Sequence, residues 1–543
     1  NAGDAADLVV AFNEQVLLGR VQSGDLKPGC IILLENMWRT GSDLSVVEAY
    51  TKTYGKLVAD GFRVYEIPMQ QECVKYISNP HRGKNMFVVG MLCHIYSRDM
   101  KLASDLISYT FRKKGAEAIE SNRKLLDGGY AWAEQNLDFR FDVPPTALKE
   151  PHIVVNGNMS AALGIVASGM EVCAMYPITP ATSVTHYLSE IFHDAGGVIH
   201  QAEDEIAACG FAIGASYAGK CAVTVTSGPG LALKTELIGL AVMAEIPLVL
   251  LDVQRGGPST GLPTRHEQGD LRFAIHAGHG TSPRIVLASG DLEECFYDTV
   301  KAFNFADRYQ TPVIHIVDKA LANNSQTIPY PNMDGVHIDR GVLAQPTGNG
   351  DYRRFQFTQS GLSPRAVFGM PGTVFWNTGD EHDELGHITE DPVLRILMME
   401  KRQGKLDLAL KEIPPEDQVE YHGDPKADTV VVSWGSTKGP ILDAMDILRK
   451  EGYKIGFLQF RLLHPFPVTL AMKLLQGRKR VVDVEMNYEA SLAGLLREKT
   501  GIAATHQIVK FTGRPMSCNE LRDGLKAVLE RKAPERQVLR RGV

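Results

Sequence analysis

Short apolar runs alternate with amphipathic stretches along most of this chain. Before about residue 128, segments 8–12, 30–34, 63–67 and 86–91 read as strands, with helical stretches such as 45–60 between them. That alternation predicts a parallel α/β sheet. Residues 131–151 then mix charge, aromatics and Pro144-Pro145, the composition of a linker. The alternation resumes at His152: segments 172–176, 198–200, 221–226, 247–253, 285–288 and 312–317 read as strands, and 203–217 as a helix of small residues. Residues 319–426 are less regular, turn-rich at 329–351 and polar at 379–384, and read as a connector packed over other domains. From Asp428 a third unit follows: strand 429–433, loop 434–439, helix 441–451, and strands 454–459 and 481–485. The expected division is 1–130, a linker at 131–151, 152–330, a connector at 331–426, and 427–543. The fold class is α/β, with several doubly wound parallel-sheet domains whose ligands bind at the carboxyl ends of the strands.

Composition narrows the functions open to such a chain. Its 543 residues exceed one ordinary core, and 44% hydrophobic with 22% charged is globular composition. A net charge of −7 without a basic cluster argues against nucleic acid as a partner. The longest apolar run, 237–253, is broken by Glu245 and Pro247, which argues against a membrane span. Eight cysteines without C-x-x-C spacing point to reduced thiols in a cytoplasmic protein, and to no iron-sulfur or zinc site on this chain. The chain opens on Asn1 and enters strand-like sequence almost at once, so a segment upstream is expected to have been removed.

The candidate chemistry sits at the ends of successive strands. Tyr176-Pro177-Ile178-Thr179-Pro180 holds the Thr179 hydroxyl on a loop stiffened by two prolines. Glu203-Asp204-Glu205 opens a helix, where acids favour the positive end of the helix dipole. The apolar stretch that follows, Ile206-Ala207-Ala208-Cys209-Gly210, forms a wall against which a carboxylate can share a proton. Arg255, between a strand and two glycines, has room to pair with a substrate carboxylate, or else forms a structural salt bridge.

Taken together, Tyr176 to Pro180, Glu203 to Ala208, Thr226-Ser227-Gly228-Pro229-Gly230 and Gln254 to Leu271 resemble the α subunit of the 2-oxoacid:ferredoxin oxidoreductases. The form resembled has a γ-type domain fused ahead of the α part, and the likeness is greatest to the 2-oxoglutarate type. It extends through Thr378-Gly379-Asp380-Glu381-His382 and 459–467. The resemblance implies a γ-type domain at 1–130, N-terminally incomplete, a thiamine-diphosphate pyrimidine-binding-type domain at 152–330, and a transketolase C-terminal-like domain at 427–543. It places Glu205 where the family bonds the cofactor's aminopyrimidine, with Pro177 and Ile178 beside it. Thr179 and Arg255 fall where the family holds the 2-oxoacid, with Thr260 and Arg265 as further substrate contacts. Arg265 or His266 would meet the second carboxylate of 2-oxoglutarate.

The same resemblance implies that 2-oxoglutarate, coenzyme A and oxidised ferredoxin give succinyl-CoA, carbon dioxide and reduced ferredoxin, or the reverse as reductive carboxylation. Pyruvate or a branched-chain or aryl 2-oxoacid is the alternative substrate, and a non-catalytic scaffold that docks a partner or binds coenzyme A is the alternative of another class. A Gly-Asp-Gly followed by Asn, the usual magnesium and diphosphate motif, is missing. Magnesium, the diphosphate site and a 4Fe–4S cluster are therefore expected on a β subunit, in an (αβ)2 assembly.

Overall fold

The computed structural model describes residues 5–79, 83–144, 146, 148–346 and 352–541. Asn1, Pro145 and the last residues of the turn-rich segment, 347–351, lie outside them. The chain forms two compact units, within 4–149 and within 150–543.

In the first unit β1 (Ala6–Ala11), β2 (Leu26–Glu35) and β3 (Arg63–Ile67) pair in that order, all parallel. Along β2, Ile31 and Leu33 enter one core cluster while Ile32 and Leu34 enter another. Both faces of the sheet are thus covered, as a parallel sheet requires. Residues 86–91 are not a strand: they lie within the helix Lys84–Ile95. The run is apolar on nearly every side because the helix is buried, and periodicity cannot separate a buried helix from a buried strand. Glycines mark its packing. A Cβ on Gly90 would fall 1.9 Å from the Leu126 carbonyl, and one on Gly129 would fall 1.9 Å from that of Phe87. The partner helix, Ala116–Asn136, carries helical structure six residues into the stretch whose composition reads as linker.

The second unit is built on two larger sheets and a ribbon. The ribbon pairs β4 (His152–Val155) with β11 (Gln326–Pro329), antiparallel. The first sheet holds β5 (Val172–Met175), β6 (Val198–Gln201), β7 (Ala222–Thr226), β8 (Leu248–Gln254), β9 (Ile285–Ala288), β10 (Pro312–Asp318) and β15 (Leu462–His464), ordered β15-β9-β10-β8-β7-β5-β6. All its pairings are parallel except that of β15 with β9. Leu248 and Leu250 of β8 face one core, and Val249, Leu251 and Val253 the other, the signature of a doubly wound sheet. The second sheet orders β12 (Val419–Gly423), β14 (Gly456–Phe460), β13 (Thr429–Ser433), β16 (Arg480–Glu485), β17 (His506–Val509) and β18 (Arg536–Val538), with β12 alone antiparallel.

The connector contains a 21-residue helix, Pro392–Glu412, that lies on the first of these sheets' domains. Its Lys401 and Lys405 both bond the fully buried Glu245, Lys405 at 2.7 Å. Arg354, also from the connector, donates to the Glu245 carbonyl at 2.6 Å. Among the described residues no helix is long and apolar enough to cross a membrane. Cys30, Cys73, Cys93, Cys173, Cys209 and Cys295 are buried thiols.

Candidate active site

In the order β8-β7-β5-β6, four adjacent parallel strands end on one edge, and every candidate motif leaves that edge. Residues 176–180 leave β5, 227–230 leave β7, 255–262 leave β8, and Glu205 follows β6.

Of the acidic triplet only Glu205 is buried, at 8% exposure; Glu203 and Asp204 face outward. Asp204 is the N-cap of the helix Glu205–Tyr217, accepting from the Ala207 N–H at 2.7 Å. The cap fixes the first turn and so the direction of the Glu205 side chain. Of the stretch that follows it in sequence, Ala208 and Cys209 are buried on the same side of the helix, while Ile206 is 48% exposed and Ala207 faces outward. The segment after β7 closes on the carboxylate as well: a Cβ on Gly230 would lie 2.8 Å from Glu205 Cγ, 3.1 Å from its Oε1 and 2.1 Å from Thr226 Oγ1. Gly230 is therefore the cradle. Behind it Lys234, fully buried, donates to the Glu205 carbonyl at 2.8 Å and to Thr224 Oγ1 at 3.0 Å. Burial lowers the pKa of that ammonium, opposed by the charges of Cys209 and Glu205. The Glu205 carboxylate itself makes no hydrogen bond or ion pair among the described residues.

Arg255 is also 8% exposed. One terminal nitrogen donates to the Thr179 carbonyl at 2.8 Å and the other to the Thr260 carbonyl at 3.2 Å, while Nε is buried without a partner. No carboxylate pairs with it among the described residues, so the guanidinium is a clamp between two loops with N–H groups to spare. Thr179, Arg255 and Thr260 are thus brought together through backbone carbonyls. The Thr179 side chain faces outward and its hydroxyl has no partner among the described residues. Pro177 is exposed, whereas the Ile178 side chain packs into the core and its carbonyl accepts from the Thr182 N–H at 3.0 Å. The 255–262 loop closes through Leu262 N–H to the Gly256 carbonyl at 2.8 Å; a Cβ on Gly261, at φ +53°, would strike that carbonyl at 2.1 Å. Arg265 is exposed, its stem against Gly513. In the chain without substrate, burial, then Lys319 and Arg265, hold the His266 imidazole down to about 4, which favours its neutral form.

Sequence patterns did not reveal a buried acid pair beneath the Arg255 loop. Asp252, fully buried in β8, meets no hydrogen-bond donor among the described residues, and its carboxyl faces that of Asp270. Burial, then the Asp270 charge, pushes Asp252 far above the usual carboxylate range; burial, then Glu267, raises Asp270. The Asp270 carboxyl fills the space beside Gly228, where a Cβ would lie 2.6 Å from it, and the Asp270 backbone N–H donates to Gln254 Oε1 at 2.9 Å. One signal was present, an aspartate inside the apolar run of β8.

Residues 164–401 match the family model described as pyruvate flavodoxin/ferredoxin oxidoreductase, thiamine diP-bdg, and 427–519 match that of pyruvate:ferredoxin oxidoreductase core domain II. The 2-oxoacid:ferredoxin oxidoreductase subunit alpha of Saccharolobus solfataricus is 40% identical over 480 residues, 86% of this chain and 74% of that one. The 2-oxoglutarate oxidoreductase subunit KorA of Mycobacterium tuberculosis is 33% identical over 97% of this chain and 82% of its own length. A solved structure of the 2-oxoglutarate:ferredoxin oxidoreductase from Magnetococcus marinus, with 2-oxoglutarate, coenzyme A and succinyl-CoA bound, superposes with a TM-score of 0.86 at 35% identity, covering 97% of this chain and 89% of that one. Over matches of this length, with the four motifs on one edge of the matched thiamine-binding sheet, the chain belongs to the family of 2-oxoacid:ferredoxin oxidoreductase α subunits.

Proposed function

We propose that this chain is the α subunit of an enzyme that converts 2-oxoglutarate, coenzyme A and oxidised ferredoxin to succinyl-CoA, carbon dioxide and reduced ferredoxin, in either direction. The observation that carries the reading is the Glu205 carboxylate, buried, capped into position and left without a protein partner beside a glycine cradle. Such a group fits the aminopyrimidine of thiamine diphosphate, which would bring its own hydrogen-bonding nitrogen to an otherwise unpaired buried carboxylate. When bound, the cofactor supplies the electron sink for decarboxylation of the 2-oxoacid. Glu205 holds and shares a proton with it, and Pro177 and Ile178 form the adjoining loop. Arg255, with its remaining N–H groups, and the outward-facing Thr179 hydroxyl orient the 2-oxoacid; Thr260 closes the loop around them. Arg265 is the cation for the second carboxylate.

Magnesium, the diphosphate site and a 4Fe–4S cluster belong in this reading to a β subunit, in an (αβ)2 assembly. Support comes from the uncovered apolar side chains around Glu205: Tyr176, Ile206, Phe211 and Leu233 are all exposed in the isolated chain. The 1–130, 152–330 and 427–543 segments serve as γ-type, pyrimidine-binding-type and transketolase C-terminal-like domains, joined by 331–426 and by the part of 131–151 that follows the Ala116–Asn136 helix. The test is dye reduction by the purified complex with 2-oxoglutarate, pyruvate and branched-chain 2-oxoacids, each with coenzyme A. Activity should be highest with 2-oxoglutarate, and Glu205→Gln should lower it about 10²- to 10⁴-fold without loss of assembly. Full turnover in an assembled Glu205→Gln complex leaves the scaffold as the better reading.

A further inference from the structure

A cavity of about 450 Å³ opens in the 150–543 unit, between the carboxyl end of β10 and the loops that follow β13 and β17. Its volume is that of a small-molecule site. Lys319 lines it at 9% exposure, yet its ammonium makes no hydrogen bond or ion pair among the described residues. An ammonium that opens into a cavity with no carboxylate to pair with it is a ready seat for an anion. Arg514, half-buried and next to the lining residue Pro515, has no hydrogen bond or ion pair among the described residues, and its charge acts with those of Lys319 and Arg265 on the lining His266, whose buried Nδ1 is unpartnered. The acid on the lining, Asp291, is already paired with Lys438 at 2.6 Å and does not neutralise this end. The same lining includes the thioethers of Met486 and Met516, both buried, and the amides of Asn324 and Gln326.

We infer that this cavity binds a nucleoside phosphate, with the phosphate toward Lys319 and Arg514 and the base against Met486 and Met516. A single carboxylate would balance only one cation, whereas a phosphate dianion balances two and accepts from both an ammonium and a guanidinium fork. Thioethers suit the face of a flat ring, and the amides can donate to and accept from ring and ribose edges. The inference does not depend on the role proposed for Glu205. The nucleotide is either free or the adenine nucleotide end of coenzyme A.

The experiment is equilibrium dialysis of the assembled complex, saturated with thiamine diphosphate, against labelled ADP and against adenosine. ADP should bind at least about tenfold more tightly than adenosine, and Lys319→Met should weaken ADP about tenfold or more, the scale of one lost charge-assisted contact. Arg514→Ser, at a half-buried position, should weaken it as well and serves where Lys319→Met does not fold. ADP binding that is absent, or unchanged in a folded Lys319→Met or Arg514→Ser complex, overturns the inference. Displacement of ADP by coenzyme A, with a raised KM for coenzyme A in Lys319→Met, identifies the cosubstrate as the source. ADP that stays bound under saturating coenzyme A identifies a free nucleotide, and both outcomes support the site.

Discussion

Gly230→Ala is the sharpest perturbation of the Glu205 seat. The added Cβ would lie 2.1 Å from Thr226 Oγ1 and 2.8 Å from Glu205 Cγ, against the roughly 3.5–4 Å of a relaxed contact. Thr226 is fully buried at a strand end and, being β-branched, is stiff about χ1. The Glu205 side chain must therefore give way by about 1 Å, a displacement that costs on the order of 10²-fold in turnover, while overpacking costs about 1–3 kcal/mol of stability. Turnover of the complex, the thiamine diphosphate concentration giving half-activity, and Tm would be measured together. Gly214→Ala is the control: it lies within the Glu205–Tyr217 helix, nothing stands within 4 Å of its added Cβ, and it should gain up to about 1 kcal/mol with turnover unchanged. Thr226→Ala combined with Gly230→Ala removes the tightest overlap and should recover part of the loss. A folded Gly230→Ala complex with turnover within about twofold of the parent would refute the reasoning, because the carboxylate position would then not matter.

Arg255→Lys replaces a fork that spans the Thr179 and Thr260 carbonyls with a point charge that cannot hold both, so KM for the 2-oxoacid should rise about tenfold or more; unchanged kinetics would show the clamp to be dispensable. Asp252, with its raised folded-state pKa, contributes stability that is present below pH 3.8 and lost as pH rises. Asp252→Asn lacks that loss, so its Tm should gain on the parent's between pH 5 and 8, and a constant gap would count against a shared proton. His315 is fully buried between Ser289 Oγ at 2.8 Å and Thr299 Oγ1 at 3.2 Å, and burial lowers its pKa from 6.5 to about 4. Its contribution is present above pH 6.5 and lost as pH falls toward 4, about 3 kcal/mol at about 1.4 kcal/mol per pH unit; His315→Gln should flatten the acid limb of Tm against pH by a corresponding amount.

Local chemistry made much of this protein legible before any coordinates. Strands such as 285–288 and 429–433 stand where their β-branched runs put them, and the Pro- and Gly-rich turns of 176–180 and 255–262 lie at strand ends. Glu205, Thr179 and Arg255 were legible as candidates because their turn and helix-start contexts are written within a few residues of each, whereas Thr260 came only from the family resemblance. Periodicity failed where burial removed it, in the Lys84–Ile95 helix, and turn-rich flanks obscured the helix Pro392–Glu412. What only tertiary structure decided is partnership across long separations. The Arg255 guanidinium meets a carbonyl 76 residues away, and the Glu205 side chain rests against Gly230 of the segment after β7. Lys234 lies under Glu205, Asp252 against Asp270, and Lys319 unpaired in a cavity that the second large sheet helps to close. A residue's type and its neighbours in sequence set what it can do. Strand order and the packing of distant turns set which group it faces, and therefore whether its charge is paired, shared or left for a ligand.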